Sequence, residues 1–398
     1  MFNEEVIKAA QKRLAKEKNK INLRNPKMIV YKIANKCNLS CDYCYFKPKD
    51  VFRKLTVEKF IDFIDYIAET TDGYLYIAFH GGEPFLEIDS MRSIVHEIYQ
   101  KKYARRVRFT VQTNGTILDK TFFAYCKDKH ITIGISIDGC NETTNACRLN
   151  NVNSQLYFEH INSTFNFLNC NSIEYSVISV LNNNNADNIV KFIDYLMESG
   201  VKSWSCNDLI VCDNIHNKSI VLTAEEKLEV YKKIIDSLIK RNRETHPFNR
   251  LYESNIRSWV RSFYEEDFYV FDICSSRPCG LFDYTLAVDY DGSIFPCDLV
   301  SFDAYRIGNI YDDNYINGFD LFKNQKKDLD RLCNNTKCNS CKAKSICKCN
   351  CKAVILSGIN REHDLCKFFL PLYDYLYNIL ANKNIAELLS PSINIRNL

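Results

Sequence analysis

The sequence predicts an α/β protein in which successive βα units build a parallel sheet, followed by a small cysteine-rich domain. Three observations carry this. Between residues 28 and 206, apolar runs of strand length alternate with amphipathic stretches of helix length. From Cys274 the composition shifts to cysteine, glycine and turn residues. With 398 residues, 46% hydrophobic and 25% charged, the chain has the make-up of an ordinary soluble protein and room for two domains.

Residues 1–24 read as a basic amphipathic helix with Val6, Ile7, Ala10 and Leu14 on one face. Such a helix packs on the core, or contacts a leader peptide or membrane surface. The candidate strands are 28–33, 74–79, 107–112, 131–136, 173–180 and 202–206. The clearest helices are 56–69 and 186–199, with Gly200 as a C-cap signal. Six repeats are fewer than the eight of a full TIM barrel. Thr223-Ala-Glu-Glu226 is a capping box opening a long helix to Arg243, and 245–272 reads as a helical connector. Asn182 to Asn185 is a polar turn after a strand. The domains expected are an N-terminal helical extension (1–27), a core (28–220), a connector (221–272), a cysteine-rich domain (273–370) and a helical tail (371–398).

A net charge of +3 is too small to imply a nucleic-acid partner. No run of about 18 apolar residues predicts a membrane span, and Met1 to Lys20 lacks the apolar segment of a secretory signal. A cytoplasmic protein without a membrane partner is expected. Nineteen cysteines, an odd number in a long chain, point to metal binding rather than a disulfide scaffold.

The first cysteine cluster is Cys37-Asn-Leu-Ser-Cys41-Asp-Tyr-Cys44, just after the first strand. Three thiolates on one loop can hold three corners of a [4Fe–4S] cube and leave one iron open. A zinc site with a distant fourth ligand, or three buried thiols, are the other readings. Active sites of parallel βα folds lie at the C-terminal strand ends, and further motifs fall there. They are Gly81-Gly82-Glu83-Pro84 after the second strand, Gln112-Thr113-Asn114-Gly115 after the third, and Ser136-Ile137-Asp138-Gly139 after the fourth, with Arg148 downstream. Each is also readable as a strand-ending turn.

The C-x3-C-x2-C loop with Tyr43 before its third cysteine, the GGEP, QTNG and S-x-D-G segments and the downstream Arg148 resemble the radical S-adenosylmethionine (SAM) superfamily. That resemblance implies a partial (β/α)6 TIM-like barrel, open on one side. It implies a SAM-binding [4Fe–4S] cluster on Cys37, Cys41 and Cys44. Tyr43, Gly81, Gly82, Glu83, Asn114, Ser136, Asp138 and Arg148 would lie around SAM, with Asn184 as a weaker ribose contact. Reduced by the cluster, SAM yields a 5′-deoxyadenosyl radical that abstracts hydrogen from a substrate. Cys140 and Cys147 stand where the family usually shows Pro and His nearby.

A second constellation runs Cys279, Gly292, Cys297, Cys338-x2-Cys341-x5-Cys347-x3-Cys351 and Cys366. It resembles the SPASM domain, which carries auxiliary iron–sulfur clusters in peptide-modifying radical SAM enzymes. The family's crossed arrangement implies Cys274, Cys279, Cys297 and Cys351 on one [4Fe–4S] cluster, and Cys338, Cys341, Cys347 and Cys366 on the other. Cys333 and Cys349 fit no slot. A zinc ribbon would explain Cys338 to Cys351 alone.

The main functional expectation is oxidative modification of a ribosomally made peptide, such as a thioether or carbon–carbon crosslink. The alternative is an anaerobic sulfatase-maturating activity that oxidises Cys or Ser to formylglycine. Pro296-Cys297-Asp298 resembles that branch, in which the Asp is a general base. Phe46, where a Tyr is expected two residues after the third cluster cysteine, and the Cys279-Gly280 context favour the peptide maturases. A non-catalytic metal-binding module is the reading of another class. Implied partners are a peptide or protein substrate, an electron donor such as flavodoxin or ferredoxin, and a separate leader-peptide-binding protein, since residues 1–27 are short for a leader-binding domain. The cationic stretch Lys323 to Lys352 is a solvated face or an attractor of acidic peptide.

Overall fold

The computed structural model describes residues 27–46, 48, 53–71, 73–150, 152–209, 220–264, 281, 284–301, 303–312, 336–347, 351 and 362–391. The expected helix at 1–24 and Cys274, Cys279, Cys333 and Cys349 lie outside them, as does most of the cationic stretch.

Six strands lie side by side in chain order, all parallel: β1 (Met28–Ala34), β2 (Leu75–Gly81), β3 (Val107–Thr113), β4 (Thr132–Ser136), β5 (Tyr175–Leu181) and β6 (Ser203–Asp208). Helices α1 (Val57–Thr70), α2 (Ile88–Tyr99), α3 (Lys120–Asp128), α4 (Ser154–Cys170) and α5 (Ile189–Glu198) connect them. Side chains alternate across a strand, so the sheet has two unlike faces. Ile29, Tyr31, Ile33, Ile77, Phe79, Val111, Ile133, Ile135 and Val177 pack with helix residues such as Phe60, Phe63, Ile64 and Ile67 in one core. The other face carries Lys32, His80, Thr110, Gln112, Gly134 and Ser176, which the strand register aligns. Among the described residues, the apolar cluster on this face is made of strand residues, Met28, Val30, Ala78, Ala287 and Phe295, and the face is polar toward the C-terminal strand ends.

The sheet extends beyond these six strands. Strand β7 (Tyr252–Glu253) pairs with β6 at one edge. At the other edge β8 (Thr285–Val288) runs parallel to β1, with Met28 opposite Thr285. Antiparallel β9 (Ser293–Phe295) and β10 (Gly308–Asn309) follow, giving one ten-stranded open sheet. The sheet therefore continues past the composition shift at Cys274.

The helix opening at Thr223 is α6 (Ala224–Glu244), and its capping box forms: Glu226 N donates to Thr223 Oγ1 at 3.2 Å and Thr223 N donates to Glu226 Oε2 at 2.8 Å. The stretch read as a helical connector instead contains β7 and then α7 (Ser254–Tyr264). Two short helices, α8 (Thr336–Asn339) and α9 (Lys344–Cys347), precede α10 (Glu362–Leu380) and α11 (Lys383–Leu389). Phe368 and Phe369 of α10 meet Trp259 of α7 edge-on.

Glu253 ties β6, β7 and α7 together. Its buried carboxylate accepts from Cys206 N at 2.9 Å, Ile256 N at 2.7 Å and Asn255 Nδ2 at 3.2 Å. Burial pushes its pKa up to about 7 despite these donors. A carboxyl raised in the folded state contributes stability at low pH that is lost as pH rises through its folded pKa. Glu253→Gln removes that dependence. Between about pH 5 and about pH 8 the stability of the native protein relative to this variant should fall by about 3 kcal/mol. Anaerobic thermal melts across this range check it, and parallel curves for the two proteins would contradict it.

Candidate active site

The loop after β1 is held mainly by backbone. The β1–β2 register shifts between Lys32 and Ala34, so Lys32 faces His80 while Ala34 faces Gly81. A bulge of this kind re-aims the chain at a strand end. Gly82 N then donates to Ala34 O at 2.9 Å and Glu83 N to Lys36 O at 2.7 Å. Gly81 has φ +117°, and a Cβ there would lie 2.7 Å from Ala34 O. A Cβ on Gly82 would lie 1.9 Å from Lys36 O and 3.1 Å from Cys37 N. Only glycine permits this approach.

Glu83 is 1% exposed. Its Oε1 accepts from Thr113 Oγ1 at 2.6 Å and Phe85 N at 3.0 Å, and its Oε2 from Asn114 N at 2.8 Å. A carboxylate offers about four acceptor sites, so Oε2 retains one. Burial raises the Glu83 pKa, opposed chiefly by the Thr113 hydroxyl. Asn114 reaches the cysteine loop: its Nδ2 donates to Asn38 Oδ1 at 2.8 Å and to Cys37 Sγ at 3.7 Å. Leu39 N also donates to Cys37 Sγ, at 3.4 Å. Cys37 is exposed, and Cys41 and Cys44 are half-buried.

Behind Cys41 lies a buried polar triad. The Tyr43 hydroxyl donates to Asp138 Oδ2. Arg148 Nη1 donates to the Tyr43 hydroxyl at 2.9 Å and lies 3.9 Å from Asp138 Oδ1. Val180 N donates to the same Oδ1 at 3.0 Å. Burial pushes the Cys41 thiol up to about 12, and the Arg148 charge acts against it. Burial likewise raises Asp138, with Arg148 the main opposing influence. Arg148 and Asp138, read from sequence as lying around SAM, are thus brought together with Tyr43.

Ser136 lies beside Gln112, whose Nε2 donates to its Oγ at 2.7 Å. Asn184 is turned to Cys147, with Nδ2 donating to Sγ at 3.2 Å. Cys147 in turn accepts Asp42 N at its carbonyl, 2.8 Å, so it buttresses the cysteine loop.

On the opposite side of the loop, Tyr45 reaches the C-terminal segment. Its hydroxyl donates to Asp298 Oδ2 at 2.7 Å, and Asp298 is 5% exposed. Cys297 Sγ lies 3.2 Å from Asp298 Oδ1. The ring of His80 stacks on that of Tyr45 with centroids 6.3 Å apart. Burial lowers the His80 pKa, against the pull of Asp298. Neither Tyr45 nor His80 was singled out from sequence. Their signal was position: Tyr45 follows Cys44, and His80 precedes the double glycine.

Of the other cysteines, Cys341, Cys347 and Cys351 are half-buried against the main core. Cys347 ends α9, which packs on α10, the helix of Cys366. Among the described residues no three His, Cys, Asp or Glu close on a single-ion site; in a cube each thiolate binds its own iron.

A family model described as the radical SAM superfamily matches residues 31–226. Residues 31–226 are a radical SAM domain. A curated relative is the cysteine-type anaerobic sulfatase-maturating enzyme of Clostridium novyi, 24% identical over 363 residues, spanning 83% of this chain and 88% of that protein. Two solved structures share the fold. One is native anSMEcpe with bound AdoMet and Cp18Cys peptide, with TM-score 0.68 and 19% identity over 88% of this chain and 99% of that one. The other is Streptococcus suis SuiB bound to the precursor peptide SuiA, with TM-score 0.63 and 16% identity over 89% and 77%. This radical SAM chain is an enzyme, and its cofactors are a [4Fe–4S] cluster and SAM. Its residues fit them. The loop offers three thiols; N–H donors at Cys37 and a cation beside Cys41 offset part of the burial that keeps them protonated, and binding iron would release their protons. Glu83 keeps an acceptor site for an ammonium. Among the described residues no helix is long and apolar enough to cross a membrane.

Gly82→Ala must displace the backbone at Lys36, since the obstructing atoms are main chain. Iron in the anaerobically reconstituted variant should fall by up to about four atoms per chain. Release of 5′-deoxyadenosine should drop roughly a hundredfold from misplacement of the loop. Iron analysis with chromatography of the nucleoside checks both; a variant retaining full iron and turnover would contradict the backbone account.

Proposed function

We propose that this enzyme oxidatively modifies a side chain of a peptide or protein, with Asp298 as the general base at the reacting residue. Bound SAM and the cluster supply a radical that takes hydrogen from carbon. The protein must then hold the proton of the reacting thiol or hydroxyl. The observation that carries this reading is the Tyr45–Asp298 hydrogen bond at 2.7 Å, which joins a carboxylate of the C-terminal segment to the residue after Cys44. Among the described residues, Asp298 Oδ1 is engaged by the neighbouring Cys297. Were Cys297 to ligate iron as a thiolate, Oδ1 would be left open to accept a substrate proton.

This placement supports oxidation of Cys or Ser to formylglycine, and the Clostridium novyi relative is named a cysteine-type anaerobic sulfatase-maturating enzyme. In this reading Tyr45, one residue earlier, supplies the phenol that Phe46 lacks, which its hydrogen bond to Asp298 supports. Crosslinking of a ribosomally made peptide is the second reading. Its support is the shared fold of SuiB, whose structure holds the precursor peptide SuiA. In either case the two cysteine sets proposed above would hold auxiliary clusters, and a flavodoxin or ferredoxin would supply electrons.

The test is anaerobic reconstitution of the full chain with SAM, a chemical reductant, and synthetic peptides carrying one Cys, one Ser, or one Cys with varied neighbours. An aldehyde captured by a hydrazide supports formylglycine formation. A product lacking two hydrogens and no free aldehyde supports a crosslink. Asp298→Asn should lower product formation at least about a hundredfold while 5′-deoxyadenosine release persists; an undiminished product yield would remove Asp298 from the chemistry.

A further inference from the structure

Lys32 is a buried cation that none of the radical SAM motifs accounts for. It lies on the polar sheet face near the C-terminal end of β1, 3% exposed, with His80 of β2 beside it in register. Its ammonium is 3.1 Å from Asp289 Oδ1, one residue beyond β8. It also donates to Ser301 Oγ. Ser301 Oγ donates onward to the main-chain oxygen of Asp298 at 2.7 Å. Above the ammonium, 5.9 Å away, is the ring of Tyr45, whose hydroxyl binds the Asp298 carboxylate. Two routes thus run from Lys32 to Asp298, one through Ser301 to its backbone and one past Tyr45 to its side chain.

A buried ion pair contributes little to stability compared with apolar residues of the same volume, whereas breaking it costs several kcal/mol. A pair with Asp289 alone would account for the charge, yet not for the aim of the ammonium at the Asp298 turn. We propose that Lys32 is a positioning residue that locks the Pro296–Ser301 turn, and so the Asp298 carboxylate, against the cysteine loop. The proposal rests on the assignment of Asp298 as the base. In it Lys32 touches neither SAM nor substrate.

The experiment separates charge balance from positioning. K32M/D289N removes both members of the ion pair and leaves no uncompensated charge, and S301A removes the relay alone. Both are reconstituted as holoenzyme and assayed with the single-Cys peptide. Expected are unchanged iron content and SAM cleavage, and a fall of about tenfold in product per 5′-deoxyadenosine in K32M/D289N, the loss of a charged hydrogen bond. S301A should show a smaller fall in the same ratio. Amide exchange across 296–301 should quicken in both variants. Native-like exchange and coupling in K32M/D289N would overturn the proposal and reduce Lys32 to a counter-ion for Asp289. Should that variant fail to fold, native-like exchange in S301A overturns it equally. If the native enzyme cleaves SAM and modifies no peptide, the assignment of Asp298 fails, and the exchange data alone decide whether Lys32 locks the turn.

Discussion

The closest constraint in this molecule is the contact of two backbones at the ends of β1 and β2. In the reading proposed here the three cysteines of the loop would hold iron, so their side chains could not also anchor it. The loop is anchored instead where Gly82 lies against Lys36 and Cys37, too close for any Cβ. Two backbone hydrogen bonds, Gly82 to Ala34 and Glu83 to Lys36, close the contact. The β-bulge before Ala34 gives the chain the direction to make it. Glu83 then transmits the position to β3, through Thr113 and Asn114, and Asn114 returns to Cys37.

Two buried charge clusters flank that loop. On one side Arg148, Asp138 and Tyr43 lie behind Cys41. On the other Lys32, Asp289 and Ser301 lie below Tyr45. Both use a tyrosine of the loop, Tyr43 or Tyr45, on either side of Cys44. Desolvating these charges is costly, and apolar side chains would fill the space with less penalty. Their value is directional. Each cluster fixes one tyrosine, and the two tyrosines fix the segment that carries Cys44.

The parallel core was legible because its signals are periodic and local. Strand-length apolar runs located β1 to β6 within a residue or two, and Thr223 with Glu226 announced α6. Strands β7 to β10 were not legible. They are two to four residues long, too short for an alternation to register. The SAM-side motifs were also readable, since each follows its strand directly. What stayed hidden was pairing at long range. Tyr45 and Asp298 are 253 residues apart, and Lys32 and Ser301 are 269. The resemblance to the sulfatase-maturating branch expects a Tyr at position 46, where Phe46 stands; the phenol that reaches Asp298 is that of Tyr45. Lys32 looked like one more polar residue of a strand.

The pairing of β8 with β1 makes that long-range geometry intelligible. Strand β1 leads into the cysteine loop, and β8 leads through a turn and β9 to Cys297 and Asp298. Placing β8 parallel to β1, with Tyr31 opposite Val288, brings Lys32 and Asp289 to the same level at adjacent strand ends. The cysteine loop and the proposed base are then both set by one strand pair. Shifting β8 by one residue would turn Asp289 to the opposite sheet face, breaking its pair with Lys32 and displacing the turn that Ser301 secures. The ion pair therefore also checks register: the observed alignment is the one that sets Lys32 against Asp289.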